Sequence, residues 1–307
     1  MNRLFSLAFL LLLIACSGGE EKSNTDEIPE LPKIEFQNFN ERISYCIGMD
    51  HAIGSFQVYN GPKTKGKFDN DELTAGMIDY LADNQLRIPV ESVDSILDLY
   101  LLPGGQVNEQ SVSKKDASYA IGLSEGQFLV GSLVGRGIDQ DIEVWFLTEG
   151  IKAGMKRDES VVKASEAQTE VRNYFNDINK KMGEVFLENN AKRDSVITTE
   201  SGLQYQVIAE GNGQKPNLTD SCTVNYTGFF IDGRAFESTI PSGRPATFGL
   251  LGIIPGWQEG LQLMKEGSSY RFYIPYYLGY GEEGSGPIPP YSTLVFDIEL
   301  LKVKRFK

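Results

Sequence analysis

Two hydrophobic periods divide this chain. From Gly202 onward apolar and polar residues alternate in short runs: Leu203-Gln204-Tyr205-Gln206-Val207, Thr223-Val224-Asn225-Tyr226, Tyr270-Arg271-Phe272-Tyr273-Ile274 and Leu294-Val295-Phe296-Asp297-Ile298-Glu299-Leu300. A period of two bounded by Gly, Pro, Asp and Asn clusters predicts antiparallel strands. Among them Trp257-Gln258-Glu259-Gly260-Leu261 follows Pro255-Gly256 and predicts one short helix laid on the sheet. Upstream, apolar residues recur every three or four positions behind polar starts such as Asp71-Glu72 before Leu73, which predicts helices with N-terminal caps. Val171, Tyr174, Phe175, Ile178, Met182, Val185 and Phe186 mark one stripe of a long amphipathic helix, about 163–192, read as a packing face. The expected fold class is α+β, an all-α half followed by an antiparallel sheet and its helix.

The helical half repeats itself. A shift of 74 carries Ser44, Tyr45, Ile47 and Gly48 onto Ser118, Tyr119, Ile121 and Gly122. The same shift, without a gap, carries Gly61 onto Gly135, Leu73, Thr74 and Gly76 onto Leu147, Thr148 and Gly150, and Tyr100 onto Tyr174. Met49/Leu123, Met77/Ile151, Ile88/Val162 and Leu97/Val171 agree in character. Two weak repeats are therefore expected, 40–101 and 113–175, joined through Pro103-Gly104-Gly105.

At the N-terminus Asn2-Arg3 precedes an unbroken apolar run, Leu7 to Ala15, that ends at Cys16. The run is too short to cross a hydrocarbon layer of about 30 Å, so it predicts a signal peptide, 1–15. Leu13-Ile14-Ala15-Cys16 resembles a bacterial lipoprotein box, and that resemblance implies acylation of Cys16 and an anchor in the cell envelope. The polar, acidic stretch that follows suits a tether, 16–38. A helical domain, 39–195, and a C-terminal domain, 196–307, complete the expected organisation. With 307 residues and 41% apolar content the chain can bury two cores. Its net charge of −13 excludes nucleic acid as a partner, because phosphate binding needs clustered Lys and Arg. Cys46 and Cys222 fall in apolar stretches of different domains and are expected to be separate buried thiols. One histidine and no Cys-x-x-Cys pair leave no expected metal or haem site, and no cofactor is expected.

Three segments resemble the FKBP family: Val224-Asn225-Tyr226-Thr227-Gly228, Ile253-Ile254-Pro255-Gly256-Trp257-Gln258-Glu259-Gly260-Leu261, and Ile288 through Leu300. They stand in the family's order and spacing, and the resemblance covers essentially 202–303. The upstream Tyr-x-x-Gly repeats and the long helix are similar to its Mip/FkpA-like envelope branch. The resemblance implies a peptidyl-prolyl cis–trans isomerase with an FKBP fold that assists the folding of exported proteins. It also implies X-Pro-containing polypeptides as substrates and FK506- or rapamycin-like macrolides as ligands. Residue by residue, it implies Trp257 as the floor under the proline ring, Tyr226, Phe248 and Phe296 as walls, and Phe236 closing on the twisting bond. Ile253 and Ile254 would hold the peptide by their backbone, Tyr280 would meet a substrate carbonyl, and Ile288 would lie over the pocket.

A buried Trp among Phe and Tyr is more often core than site in an arbitrary chain; here the joint spacing favours the site. Two positions depart from the family pattern. Glu237 stands where Asp is usual, which puts the orientation of the neighbouring tyrosine in question, and the loop 281–287 is acidic and slightly short. A proline-segment binder without useful catalysis and a structural surface lipoprotein are the competing readings. For assembly, the branch implies V-shaped homodimers of interlocked helical domains. The repeat suggests instead a monomer with an internal pseudo-dimer, with the homodimer as its alternative.

Overall fold

The computed structural model describes residues 34–306; the expected signal peptide, Cys16 and most of the tether lie outside them. The chain divides into two compact units at Val171 and Arg172.

The first unit holds α1 (Phe39–Tyr59), α2 (Asn70–Leu81), α3 (Val93–Tyr100), a two-residue-strand hairpin of β1 (Leu101–Leu102) and β2 (Gln106–Val107), α4 (Lys114–Gly135), α5 (Val144–Lys156) and the start of α6 (Ala164–Asn190). Side-chain caps open three helices: Asn38 accepts from the Glu41 N–H, Asp69 from those of Asp71 and Glu72, and Ser113 from that of Asp116. The cap of α2 is thus Asp69, and Asp71 and Glu72 occupy its first turn, where acidic side chains favour the helix dipole.

Helices pair across the repeats rather than within them, α1 with α5 and α2 with α4. Glycine sets both crossings. A Cβ on Gly48 would stand 2.0 Å from the Leu147 carbonyl oxygen, and one on Gly122 would stand 2.1 Å from that of Leu73. The reciprocal contacts are Gly150 on the Tyr45 carbonyl, 2.0 Å, and Gly76 on the Tyr119 carbonyl, 2.3 Å. Hydroxyls repeat the pattern. Ser44 Oγ accepts from the Glu143 N–H at the head of α5 (2.9 Å), and Ser118 Oγ accepts from the Asp69 N–H at the head of α2 (2.8 Å). Every partner in one set lies 74 positions from its counterpart in the other, so the two crossings are related by an approximate two-fold.

His51 and Glu125, themselves 74 apart, meet near that axis: His51 Nε2 lies 3.2 Å from Glu125 Oε2. Tyr59 and Ser55 donate to the same carboxylate at 2.7 and 3.1 Å. His51 first, with help from Tyr59 and Ser55, outweighs burial and holds Glu125 below the usual carboxylate range. One asymmetry remains. The shift places α3 on residues 167–174 of α6, but α3 stops at Tyr100, where the hairpin turns through Gly104 and Gly105, both at φ +78°.

The second unit is built on a sheet of seven antiparallel strands: β3 (Ile197–Thr198), β4 (Gln204–Ala209), β5 (Ser221–Phe230), β6 (Ala235–Ser238), β7 (Ala246–Gly249), β8 (Ser269–Ile274) and β9 (Leu294–Lys304). Their order is β3-β4-β8-β9-β5-β6, with β7 also on β5. Along β5 the alternation turns Cys222, Val224, Tyr226 and Gly228 inward. Against that face lies α7 (Pro255–Leu263), which opens with Pro at a position where no N–H is needed. Gly256 and Gly260 let α7 approach β8, because a Cβ there would stand 2.6 and 2.7 Å from Ile274 and Phe272.

The second half of α6 belongs to this unit, and its docked face differs from the apolar stripe read in sequence. Val185 is exposed, while Gly183 and Asn190 are buried. Close approach and amide hydrogen bonds join the half-buried Ile178, Met182 and Phe186 in holding this part of the helix. Both described thiols are free and buried, and burial pushes Cys46 up to about 12 and Cys222 up to about 11. Neither is a reactive thiolate at neutral pH.

Candidate active site

Five rings converge where β5, β6, β7, β9 and α7 meet. Trp257, in the first turn of α7 and 5% exposed, is their centre. Its indole stands edge-on to Tyr226 (centroids 5.0 Å apart, 87°), Phe296 (5.2 Å, 88°) and Phe248 (5.7 Å, 89°). Phe236 stands edge-on to Phe296 at 5.6 Å. Such T-shaped contacts aim ring edges at ring faces, the favoured arrangement of aromatic quadrupoles. The result is an apolar, orientationally fixed cluster.

Local structure sets each ring. Tyr226 reaches inward by strand alternation, and its N–H donates to the buried Thr239 Oγ1 at 2.9 Å. Phe236 reaches the cluster across Gly228, where a Cβ would stand 2.5 Å from the Phe236 ring and 2.8 Å from Phe296. Just before α7, the Gln258 amide donates to the Ile253 carbonyl at 2.8 Å, which ties Ile253 to the helix start. Ile253, Ile254, Tyr280 and Ile288 pack with the same core cluster, Ile288 fully inside it. Nine of the ten residues expected at the site are thus together, and the tenth, Glu237, meets them through the Tyr226 hydroxyl; the remaining expected position, Cys16, lies outside the described residues.

The cluster contains one polar region. Burial, then hydrogen bonding to Glu237 and its negative charge, and lastly Tyr280, push the Tyr226 hydroxyl well above the usual tyrosine range. Burial and the same carboxylate raise Tyr280. Glu237 therefore reaches Tyr226 despite its extra methylene, and both hydroxyls are protonated donors at neutral pH. The indole Nε1 of Trp257 is buried and has no hydrogen-bond partner among the described residues. A donor in that state, at the base of an apolar cluster, is rare in a packed core.

Three residues of this arrangement were not among the expected site residues: Gly228, named only as the end of a family-like segment, Thr239, and Phe230, whose ring lies 5.1 Å from that of Phe236. The glycine at the inward end of the β5 alternation is the available signal. A separate open groove of about 590 Å³ is lined by Asn225, Thr227, Arg271, Asp297 and Glu299. Its lining mixes Ile208 and Ile240 with an Arg271–Asp297 pair that is bidentate at 2.5 and 2.6 Å, and of the five rings only Tyr226 takes part in it. Among the described residues no group of three or more His, Cys, Asp or Glu could hold a metal.

The description "FKBP-type peptidyl-prolyl cis-trans isomerase" matches residues 212–301, and "Domain amino terminal to FKBP-type peptidyl-prolyl isomerase" matches residues 114–207. Neither match reaches α1, α2 or α3. The FKBP-type peptidyl-prolyl cis-trans isomerase FkpA of Aeromonas hydrophila is 40% identical over 206 residues, 62% of this chain and 77% of its own length. The outer membrane protein MIP of Legionella longbeachae is 35% identical over 210 residues, 64% of this chain and 88% of its own length. FkpA of Escherichia coli K12 is 36% identical over 221 residues, 66% and 81%. The chain belongs to the FKBP-type peptidyl-prolyl cis-trans isomerases.

Proposed function

We propose that the chain catalyses rotation about X-Pro bonds in exported polypeptides, with the aromatic cluster of residues 226–296 as its active site. The observation that carries this reading is the edge-to-face packing of Tyr226, Phe248 and Phe296 on Trp257. The barrier to rotation, about 18–20 kcal/mol, arises from amide resonance, and uncatalysed exchange takes tens to hundreds of seconds. The twisted amide has less charge separation than the planar one. A pocket that excludes water favours it over the ground state, which is catalysis by differential binding. In this reading Trp257 supports the proline ring, Phe236 closes on the twisting bond, and the backbone at Ile253 and Ile254 holds the peptide. Ile288 covers the pocket. Tyr280, kept protonated beside Glu237, donates to a substrate carbonyl. No nucleophile or proton transfer is required. The same apolar pocket would accept FK506-like macrolides.

The deciding experiment is a protease-coupled assay on an X-Pro tetrapeptide. A rate above background supports catalysis; a folded chain that binds proline segments at background rate overturns it in favour of a binding module.

Two further readings concern the envelope and assembly. Cys16 is the proposed lipid anchor, so Cys16→Ser is expected to move the protein from the membrane fraction to the soluble one. Sedimentation with membranes after a salt wash would overturn the anchor. The chain is also proposed to be a monomer, with repeats 40–101 and 113–175 serving as the two halves of one interlocked domain. The pairing of α1 with α5 and α2 with α4 within one chain supports this. A covalent link gives the halves an effective concentration that can reach the millimolar range, which a second chain at micromolar levels does not match. Light scattering on the chain lacking residues 1–16 is expected to give the mass of one copy; a stable mass near twice that at micromolar concentration would exclude the monomer.

A further inference from the structure

Two of the ten site residues, Tyr280 and Ile288, ride on one loop, residues 276–293. It is closed on itself: the Tyr291 N–H donates to the Gly281 carbonyl at 3.0 Å, and Ser285 and Ile288 exchange backbone hydrogen bonds at 2.9 Å. Tyr291 sits at φ +57°, a conformation that side chains adopt at a cost and that persists only where neighbours over-determine it. The neighbour is one turn of α6. Asn179 Nδ2 donates to the Pro290 carbonyl at 3.2 Å. Lys180 Nζ lies 5.9 Å from the rings of both Tyr276 and Tyr291, which are themselves 5.1 Å apart. Gly183 faces the buried Thr293, so closely that a Cβ would stand 2.4 Å from Thr293 Oγ1.

The helix has independent footing on the sheet. Gln204 Nε2 donates to the Leu187 carbonyl and Asn190 Nδ2 to Gln204 Oε1, both at 2.9 Å, and Phe186 packs on Tyr273 with centroids 6.0 Å apart. The turn Asn179–Gly183 is thus held from below by β4 and β8 while it touches the loop from behind.

We propose that this turn of α6 is a positioning element for the isomerase: Asn179, Lys180 and Gly183 set the height of the 276–293 loop, and through it the placement of Tyr280 and Ile288. The proposal rests on the isomerase reading of the site, and none of the three residues belongs to the aromatic cluster. It makes the catalytic unit begin at Arg172, where the compact unit begins, rather than at residue 196.

The test is made in the full chain. Gly183→Ala improves helix propensity, so it does not weaken α6 itself. Its added methyl displaces Thr293 and the loop, and kcat/KM for an X-Pro tetrapeptide is expected to fall about fivefold while the chain still melts cooperatively as a folded protein. Asn179→Asp, which removes the donor to Pro290, is expected to act in the same direction. Thr293→Ala in the Gly183→Ala background makes room for the methyl and is expected to restore the rate to within twofold of the parent. The amide chemical shifts of Tyr280 and Ile288 are expected to move with Gly183→Ala and to return in the double variant. That readout does not require turnover, so a chain inactive throughout would defeat the isomerase reading while the shifts still decide the positioning. Unmoved shifts in folded Gly183→Ala, or a second substitution that lowers the rate further, would overturn the proposal.

Discussion

Phe236→Ala is expected to lower isomerase efficiency at least tenfold while the chain stays folded. Phe236 is the exposed wall of the cluster, half-buried and held by ring contacts to Phe230 and Phe296. Its truncation opens the twisting amide to water, and a tenfold loss requires only about 1.4 kcal/mol of transition-state stabilisation. Trp257 would be a poorer probe. It is buried at the centre of the core, and removing such a side chain costs about 3–5 kcal/mol of stability, which would confound rate with unfolding. Unchanged efficiency in a well-folded Phe236→Ala chain, judged by circular dichroism and its melting curve, would remove the aromatic cluster as the active site.

The second large effect contrasts two glycines of α1. At Gly48 a methyl group would meet backbone atoms of α5, the Leu147 oxygen at 2.0 Å and its carbon at 2.9 Å, and backbone cannot turn aside as a side chain can. Gly48→Ala is expected to force α1 and α5 apart and to destabilise the first unit by about 3 kcal/mol, the upper range of overpacking. Gly54, six residues on, has nothing within 4 Å of the same position. There the substitution recovers helix propensity, up to about 1 kcal/mol in favour of the fold. Denaturant melts of the two variants should therefore move in opposite directions. A shift of the same sign in both would mean that the tight crossing of α1 on α5 does not exist in solution.

These two predictions also separate what the sequence made legible from what it did not. The aromatic positions could be read because five ring-bearing residues keep a joint spacing, and that spacing survives any uncertainty about individual strands. The reach of Glu237 could not be read, since one added methylene changes a contact that only the β5–β6 register fixes, where Gly228 pairs with Glu237. The helices were legible from their period, but their pairing was not: a stripe says that a face is buried and is silent on what buries it. The docked face of α6 shows the limit most clearly. Hydrophobic periodicity found the half-buried Ile178, Met182 and Phe186 but also the exposed Val185, and it missed the most deeply buried pair, Gly183 and Asn190, a small residue and an amide that carry no hydropathic signal. The start of α2 was misread by two residues for a related reason. Asp69, Asp71 and Glu72 are all acidic, and only geometry tells which oxygen receives the free N–H groups.

The meeting of His51 and Glu125 carries a consequence for how such an interlocked domain can change over time. In a two-fold assembly of identical chains, whatever stands at the axis faces a copy of itself: imidazole against imidazole, or carboxylate against carboxylate. Neither offers the attraction of opposites. Once both halves reside on one polypeptide, the two axial positions mutate separately, and an acid can be answered by a base. The pair at 3.2 Å is a contact that exact symmetry forbids. It also favours mixed association over like-with-like, because two first halves would juxtapose histidines and two second halves would bury a pair of glutamates against each other. In the proposed pseudo-dimer this departure from symmetry favours pairing of the first half with the second.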